Sequence, residues 1–226
     1  KMLVSRWGVS VTHLDLDFYK LRDDIVKGIR SGGFFGELER VAGKELVARI
    51  QELSDSAVTD PLTGLFNRRY LDAVLAQQFA MYRRLGRRYG IIQMDVDVLK
   101  EINDRLGHAT GDEAIRFIAG VLADNVREMD VAARFGGDEF VVVCGVAGRE
   151  HLEAYGRRLM RLVHDSCFVP AERAGLRLTV SAGGTLVTDD DVDEREALRR
   201  ADRAMYAAKR SGRREFVVLD GDEPQR

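Results

Sequence analysis

Arg134-Phe135-Gly136-Gly137-Asp138-Glu139-Phe140 runs directly into the apolar stretch Val141-Val142-Val143-Cys144. Two glycines make a tight turn and two acids open a strand, so this order puts paired carboxylates at the tip of a hairpin. Glycine supplies the positive φ that such turns need and lets another group approach the backbone closely. Carboxylates held on rigid sheet are suited to hold Mg2+ for phosphoryl transfer. Alone, the same segment also reads as an ordinary acidic hairpin.

A second acidic strand end lies upstream. Ile91-Ile92-Gln93-Met94-Asp95-Val96-Asp97 is a short apolar run that turns acidic at its end and passes through Val98-Leu99 to Lys100. Asp95 and Asp97 are two apart, which places both on one face of a strand. The stretch 103–112 then reads as a polar, glycine-punctuated loop entering a helix. Two further segments stand out: Asp60-Pro61-Leu62-Thr63-Gly64-Leu65-Phe66-Asn67 near the start of the alternating region, and Ala201-Asp202 through Ala204-Met205-Tyr206-Ala207-Ala208-Lys209 to Gly212-Arg213 near its end. With these four segments in this order, the chain resembles the GGDEF-domain diguanylate cyclases over roughly residues 57–220. That resemblance implies condensation of two GTP into cyclic di-GMP on a palm-like fold shared with nucleotidyl cyclases and polymerases.

The 226 residues fit one full domain plus an appendage. Hydrophobic content of 45% with 32% charged residues is that of a globular protein with a proper core, and a net charge of −2 argues against a general nucleic-acid or membrane-surface binder. Cys144 and Cys167 show no metal spacing and read as buried free thiols of a reducing cytoplasm. No apolar stretch approaches the ~20 residues of a membrane span. The chain starts at Lys1 rather than Met, and a membrane anchor in a longer parent is compatible with a cytoplasmic reading.

Residues 12–30 place Leu14, Phe18, Leu21, Ile25 and Ile29 on one helical stripe, and Leu46, Ile50, Leu53 and Ala57 form another. Residues 1–56 therefore read as an N-terminal helical extension for dimerisation or signal transmission. Packing of these helices on the same chain's domain is the alternative. From Pro61 the pattern gives helix 62–85, strand 90–96, helix 111–126, strand 131–135 and strand 139–146. Helix 149–165, strand 176–187, helix 195–210 and strand 214–219 follow. This predicts an α/β sandwich, a central mixed sheet covered by helices; residues 221–226 read as a disordered tail.

The resemblance also assigns roles. Asp95, the Val96 carbonyl and Asp138 would hold two Mg2+ per active site, with Mn2+ as a substitute, and Asp138, Glu139 and Lys100 would be catalytic. On an ideal strand Glu139 points away from Asp138, so it joins the metal shell only if the turn re-aims it. Asp97 is left outside the ligand set, with a structural or supporting role open. Asn103 and Asp112 would read guanine, because a carboxylate facing the guanine N1 and N2 hydrogens disfavours adenine. His108 would lie near the nucleotide or stabilise a turn. Lys209 and Arg213, four apart at a helix end, share a face and would grip the γ-phosphate.

Arg127 and Asp130 are three apart, a spacing that commonly gives a local salt bridge. The resemblance implies instead that they form a product-inhibition site, where Arg127 stacks on and pairs with guanine of cyclic di-GMP. Arg83-Arg84 and Arg87-Arg88 read as a solvated helix end or as a partner's contribution to that site. Val98-Leu99 departs from the bulkier pair usual in the family before Lys100, which bears on rate. Each subunit would bind one GTP, so turnover requires a homodimer. The alternative is a weak or inactive domain that acts as a receptor for cyclic di-GMP or GTP.

Overall fold

The computed structural model describes residues 58–169 and 176–221. The N-terminal stripes and the tail beyond Gly221 lie outside the described residues. Ten elements follow in order: α1 (Arg68–Leu85), β1 (Gly90–Val96), α2 (Leu99–Leu106), α3 (His108–Asn125), β2 (Val131–Gly136), β3 (Glu139–Cys144), α4 (Arg149–Asp165), β4 (Val180–Leu186), α5 (Glu194–Ser211) and β5 (Phe216–Val218).

The five strands form one sheet in the order β2-β3-β1-β4-β5, antiparallel except for the parallel β4/β5 pair. β1 lies in the middle, and all seven of its residues are buried. Its alternate side chains therefore feed two cores. Ile92, Met94 and Val96 join Phe140, Val142 and Cys144 under α3 and α4. Ile91 joins Val141 and Val143 under α1 and α5.

Gly183 on β4 decides how α5 sits on the second face. A Cβ there would meet the Met205 nitrogen at 2.0 Å and the Ala204 carbonyl carbon at 2.4 Å. The helix backbone rests directly on the sheet because no side chain intervenes, which brings α5 over the acidic end of β1.

The mixed sheet and its covering helices agree with the expectation; several boundaries move. The first helix begins at Arg68, not residue 62, because Asn67 caps it by accepting from the Tyr70 N–H at 3.0 Å. Residues 60–67 instead form a turn in which Asp60 accepts from the Thr63 N–H and hydroxyl at 3.0 and 2.8 Å. A helix absent from the sequence reading, α2, occupies 99–106 between left-handed Val98 (φ 57°) and Gly107 (φ 86°). With eight residues and abrupt ends, it is too short for a clear period. β4 starts at Val180, and Leu176 makes only an isolated bridge to Phe168.

Candidate active site

The hairpin forms as the sequence suggests. Gly136 pairs with Glu139, leaving Gly137 and Asp138 as a two-residue tip with positive φ (48°) at Gly137. Asp138 therefore stands outside the strand pleat. Its carbonyl accepts from the Val96 N–H at 3.2 Å, which ties the tip to the end of β1. Arg134 ties it from the other side: Nε and Nη2 donate to the Gly137 carbonyl at 3.0 and 2.7 Å, and Nη1 pairs with Asp60 at 3.1 Å. Thus the opening segment 60–67 and the hairpin tip are one hydrogen-bonded assembly. Its parts were visible in the sequence as two motifs, but nothing local showed that they touch.

Glu139 is aimed by register rather than by the turn. It lies directly opposite Asp95 in the β1/β3 pair, and opposed residues of antiparallel strands share a face. Asp95 is buried, and Lys209 Nζ on α5 lies 2.7 Å from its Oδ2. Burial raises the Asp95 pKa above the usual carboxylate range, and Asp138 and Asp97 add to the rise while Lys209 opposes it. Glu139 is raised likewise, first by burial and then by Asp95, Asp202 and Asp138. Negative charge is thus in excess on this face.

Asp202 belongs to the same neighbourhood. Gln93, almost wholly buried on β1, donates to its Oδ1 at 3.1 Å. Lys209 and Asp202 are seven apart on α5, which sets both over the β1 acids. Asp97 has left the strand at a turn, and its carboxylate takes hydroxyl hydrogen bonds from Thr179 and Ser181.

The donor set suits a hard cation. It is all oxygen, it carries surplus charge, and burial makes that charge costly. Among the described residues no three carboxylate, histidine or cysteine side chains converge as a finished cage.

At the α2/α3 corner, Asn103 lies against Gly111, where a Cβ would fall 1.9 Å from its Oδ1. Glycine at 111 is what admits the amide. The Asn103 Oδ1 is buried without a hydrogen-bond partner, and the next residue after Gly111 is the exposed Asp112. The fold thus sets Asp112 one residue along from the Asn103 contact. His108 and Lys100 are exposed on the first turns of α3 and α2.

One expectation fails. Lys209 and Arg213 do not share a helix face, because α5 ends at Ser211. Arg213 follows Gly212 in the left-handed region at φ 66°.

Arg127 and Asp130 lie at the far end of β2 from the hairpin tip, about 20 Å away by strand rise. They make no local ion pair. Asp130 accepts from the Gly145 N–H at 3.2 Å, and its carboxylate lies beside the Tyr155 hydroxyl. The Arg127 guanidinium instead stands 5.1 Å from the Tyr155 ring, and Arg158 of α4 stands at the same distance from that ring. Arg158 escaped the sequence reading because Arg127, which shares the Tyr155 ring with it, lies far earlier in the chain. Of the arginine cluster at the end of α1, Arg83 donates to the Asp189 carbonyl at 3.4 Å.

Residues 57–215 match the family model described as "Diguanylate cyclase, GGDEF domain", and the chain belongs to that family. It is 38% identical over 197 residues, 83% of its length, to diguanylate cyclase DgcP of Pseudomonas aeruginosa, covering 28% of that protein. It is also 38% identical over 162 residues to the response regulator PleD of Caulobacter vibrioides, covering 71% of this chain and 36% of PleD. The chain thus spans about a third of the length of these relatives. Among solved structures, the GGDEF domain of DgcB from Caulobacter crescentus in complex with c-di-GMP matches at TM-score 0.69 and 29% identity, over 72% of this chain and 95% of that one. No helix among the described residues is long and apolar enough to cross a membrane.

Proposed function

We propose that this domain condenses two molecules of GTP into cyclic di-GMP with release of two pyrophosphates. The observation that carries the reading is the charge-surplus face formed by Asp95, Glu139 and Asp138, with Lys209 set against it from α5. In each half-reaction the 3′-oxygen of one GTP bonds to the α-phosphorus of the other, the bond to pyrophosphate breaks, and the hydroxyl proton is lost.

Asp95 and Asp138, with the Val96 carbonyl, would hold divalent metal, two Mg2+ per site or Mn2+ in their place. Such ions supply charge relief to the phosphates and acidify the attacking hydroxyl. Glu139 stands where it can join these oxygens. Lys209 is within reach to move from Asp95 to a phosphate, and Lys100 and Arg213 lie on flanking segments that can add positive charge. Asn103 and Asp112 read guanine at the α2/α3 corner, where an unmatched base would leave the buried amide unpaired. His108 borders the same corner.

One active face holds one GTP, so two copies must meet. We assign that pairing to residues 1–56 in a homodimer; the related DgcB has been solved with a coiled coil next to its GGDEF domain. Residues 57–220 are the catalytic domain. Regulation is then a shift in how often the two faces meet productively. Product binding at Arg127 and Asp130, with Arg158 flanking Tyr155, supplies feedback inhibition.

Incubation of the purified chain with GTP and Mg2+, followed by chromatography and mass spectrometry, tests the reading. Cyclic di-GMP is the expected product. Failure to form it at high protein concentration, with bound product stripped off, would replace the enzyme by a nucleotide receptor.

A further inference from the structure

Asp97 carries none of the roles above, yet its side chain is held on every side. It is 4% exposed, Thr179 Oγ1 donates to Oδ2 and Ser181 Oγ to Oδ1, each at 2.7 Å, and its own N–H donates to the Thr179 carbonyl at 2.9 Å. No ion pair with a lysine, arginine or histidine is made to it among the described residues. Burying a carboxylate beside other acids without a counter-ion opposes stability, so its retention asks for another account.

The chain on either side supplies one. Val96, one residue before, ends β1 with its N–H on the Asp138 carbonyl. Val98, one residue after, is a β-branched residue at φ 57° and ψ 21°, a conformation such residues adopt only under external restraint. It stands at the N-cap of α2 and provides no side-chain capping bond. The strand therefore turns into a helix across a strained, uncapped junction, and that helix carries Lys100 and Asn103. Three hydrogen bonds between residue 97 and the pair Thr179 and Ser181 anchor the junction to the start of β4.

We infer that Asp97 is a positioning residue: its bonds to Thr179 and Ser181 fix the strand-to-helix turn at 96–99, and so set Lys100, Asn103 and the Val96 carbonyl against Asp95 and Asp138. This rests on the reading under Proposed function. The role is geometric, because the carboxylate matters for accepting two hydroxyl bonds. An asparagine can accept one and donate to the other hydroxyl, whose lone pairs are free to turn.

Steady-state kinetics of cyclic di-GMP synthesis by the full chain separates geometry from charge. Asp97→Ala, and independently the pair Thr179→Val with Ser181→Ala, should lower kcat/KM about 10²-fold, the loss that roughly 1 Å of misplacement brings. The loss should appear in KM as well as kcat, because the same turn places Asn103 for binding and Lys100 for turnover. Asp97→Asn should recover most of the activity. Binding of cyclic di-GMP at the Arg127 end, about one strand length away, should be unchanged in every variant and reports an intact fold.

The inference is overturned if Asp97→Ala turns over like the wild type. It is equally overturned if Asp97→Asn is as poor as Asp97→Ala while the Thr179/Ser181 pair is harmless, since buried charge would then be what matters. Should Asp97→Ala fail to fold, the asparagine variant and the hydroxyl pair decide the question. A wild-type chain that makes no product would sink the functional reading instead. Mg-GTP affinities of the same variants would then decide the role of Asp97: unchanged values overturn it, and matching losses uphold it.

Discussion

α5 meets buried acid at two places along its length, and the two are settled in opposite ways. Near its start, Arg200 is 6% exposed and makes a two-pronged pair with Asp191 at 2.7 and 2.9 Å. Its remaining N–H groups go to the Thr185 hydroxyl at 2.7 Å and the Leu186 carbonyl at 2.8 Å. Near the end of the same helix, one ammonium, Lys209, faces Asp95 with Glu139, Asp138 and Asp202 close by. The first place is closed, since the buried guanidinium and carboxylate neutralise each other within the chain. The second keeps surplus negative charge, which the fold tolerates at a cost in stability. Charge left unmatched in a partly buried cleft marks where a ligand brings the missing partner.

The largest expected effect is at the open end. Asp138→Asn should lower cyclic di-GMP synthesis by about 10³-fold, equivalent to roughly 4 kcal/mol of transition-state stabilisation, while thermal unfolding moves little. Turnover near the wild-type rate would remove Asp138 from the reacting centre.

The closed end should answer in the opposite sense. Arg200→Met leaves Asp191 buried without a counter-ion, and should lower unfolding free energy by about 3–5 kcal/mol, read from denaturant midpoints. Adding Asp191→Leu should restore much of it, because an apolar pair of similar volume replaces the ions. A double variant no more stable than the single one would show that charge matching does not hold this end of α5 closed.

Arg127→Ala should raise the cyclic di-GMP concentration needed for half-inhibition about tenfold or more, from the loss of a stacked, charged contact. Initial rates without product should stay as they were. Unchanged inhibition would place the product elsewhere.

The smallest effect concerns Glu139. Burial, then Asp95, Asp202 and Asp138, hold its pKa above the ordinary 4.5. A carboxyl with a raised folded pKa binds protons more tightly when folded, so its contribution favours folding below pH 4.5 and is lost as pH rises through the folded value. Glu139→Gln should therefore stabilise the domain at pH 7, by less than about 1 kcal/mol because the group is partly exposed and screened. It should also flatten the decline of stability with pH. A destabilised variant would mean that Glu139 is already satisfied.

Much of the fold was legible because its signals are local. The apolar runs of β1 and β3, the Gly136-Gly137 turn and the stripe of α5 each announce themselves within a few residues. α2 was not legible, since eight residues between a left-handed valine and a glycine show no full amphipathic period. The shared helix face inferred for Lys209 and Arg213 failed for a related reason: spacing assumes the helix continues, and here Gly212 ends it. Gln93 and Thr179 were silent because their partners lie more than 80 residues away in the chain.

The sequence by itself determined which groups were present: the acids, the lysines, the Asn103 and Asp112 pair, the turn glycines and the order of elements. Tertiary structure decided their relations. Strand register put Glu139 opposite Asp95, the bare backbone at Gly183 let α5 bring Lys209 onto that acid, and the hydroxyls of Thr179 and Ser181 engaged the Asp97 carboxylate. The reason is physical: periodicity and turn chemistry act over a few residues, whereas charge balance and packing are set by segments that meet only once the chain has folded.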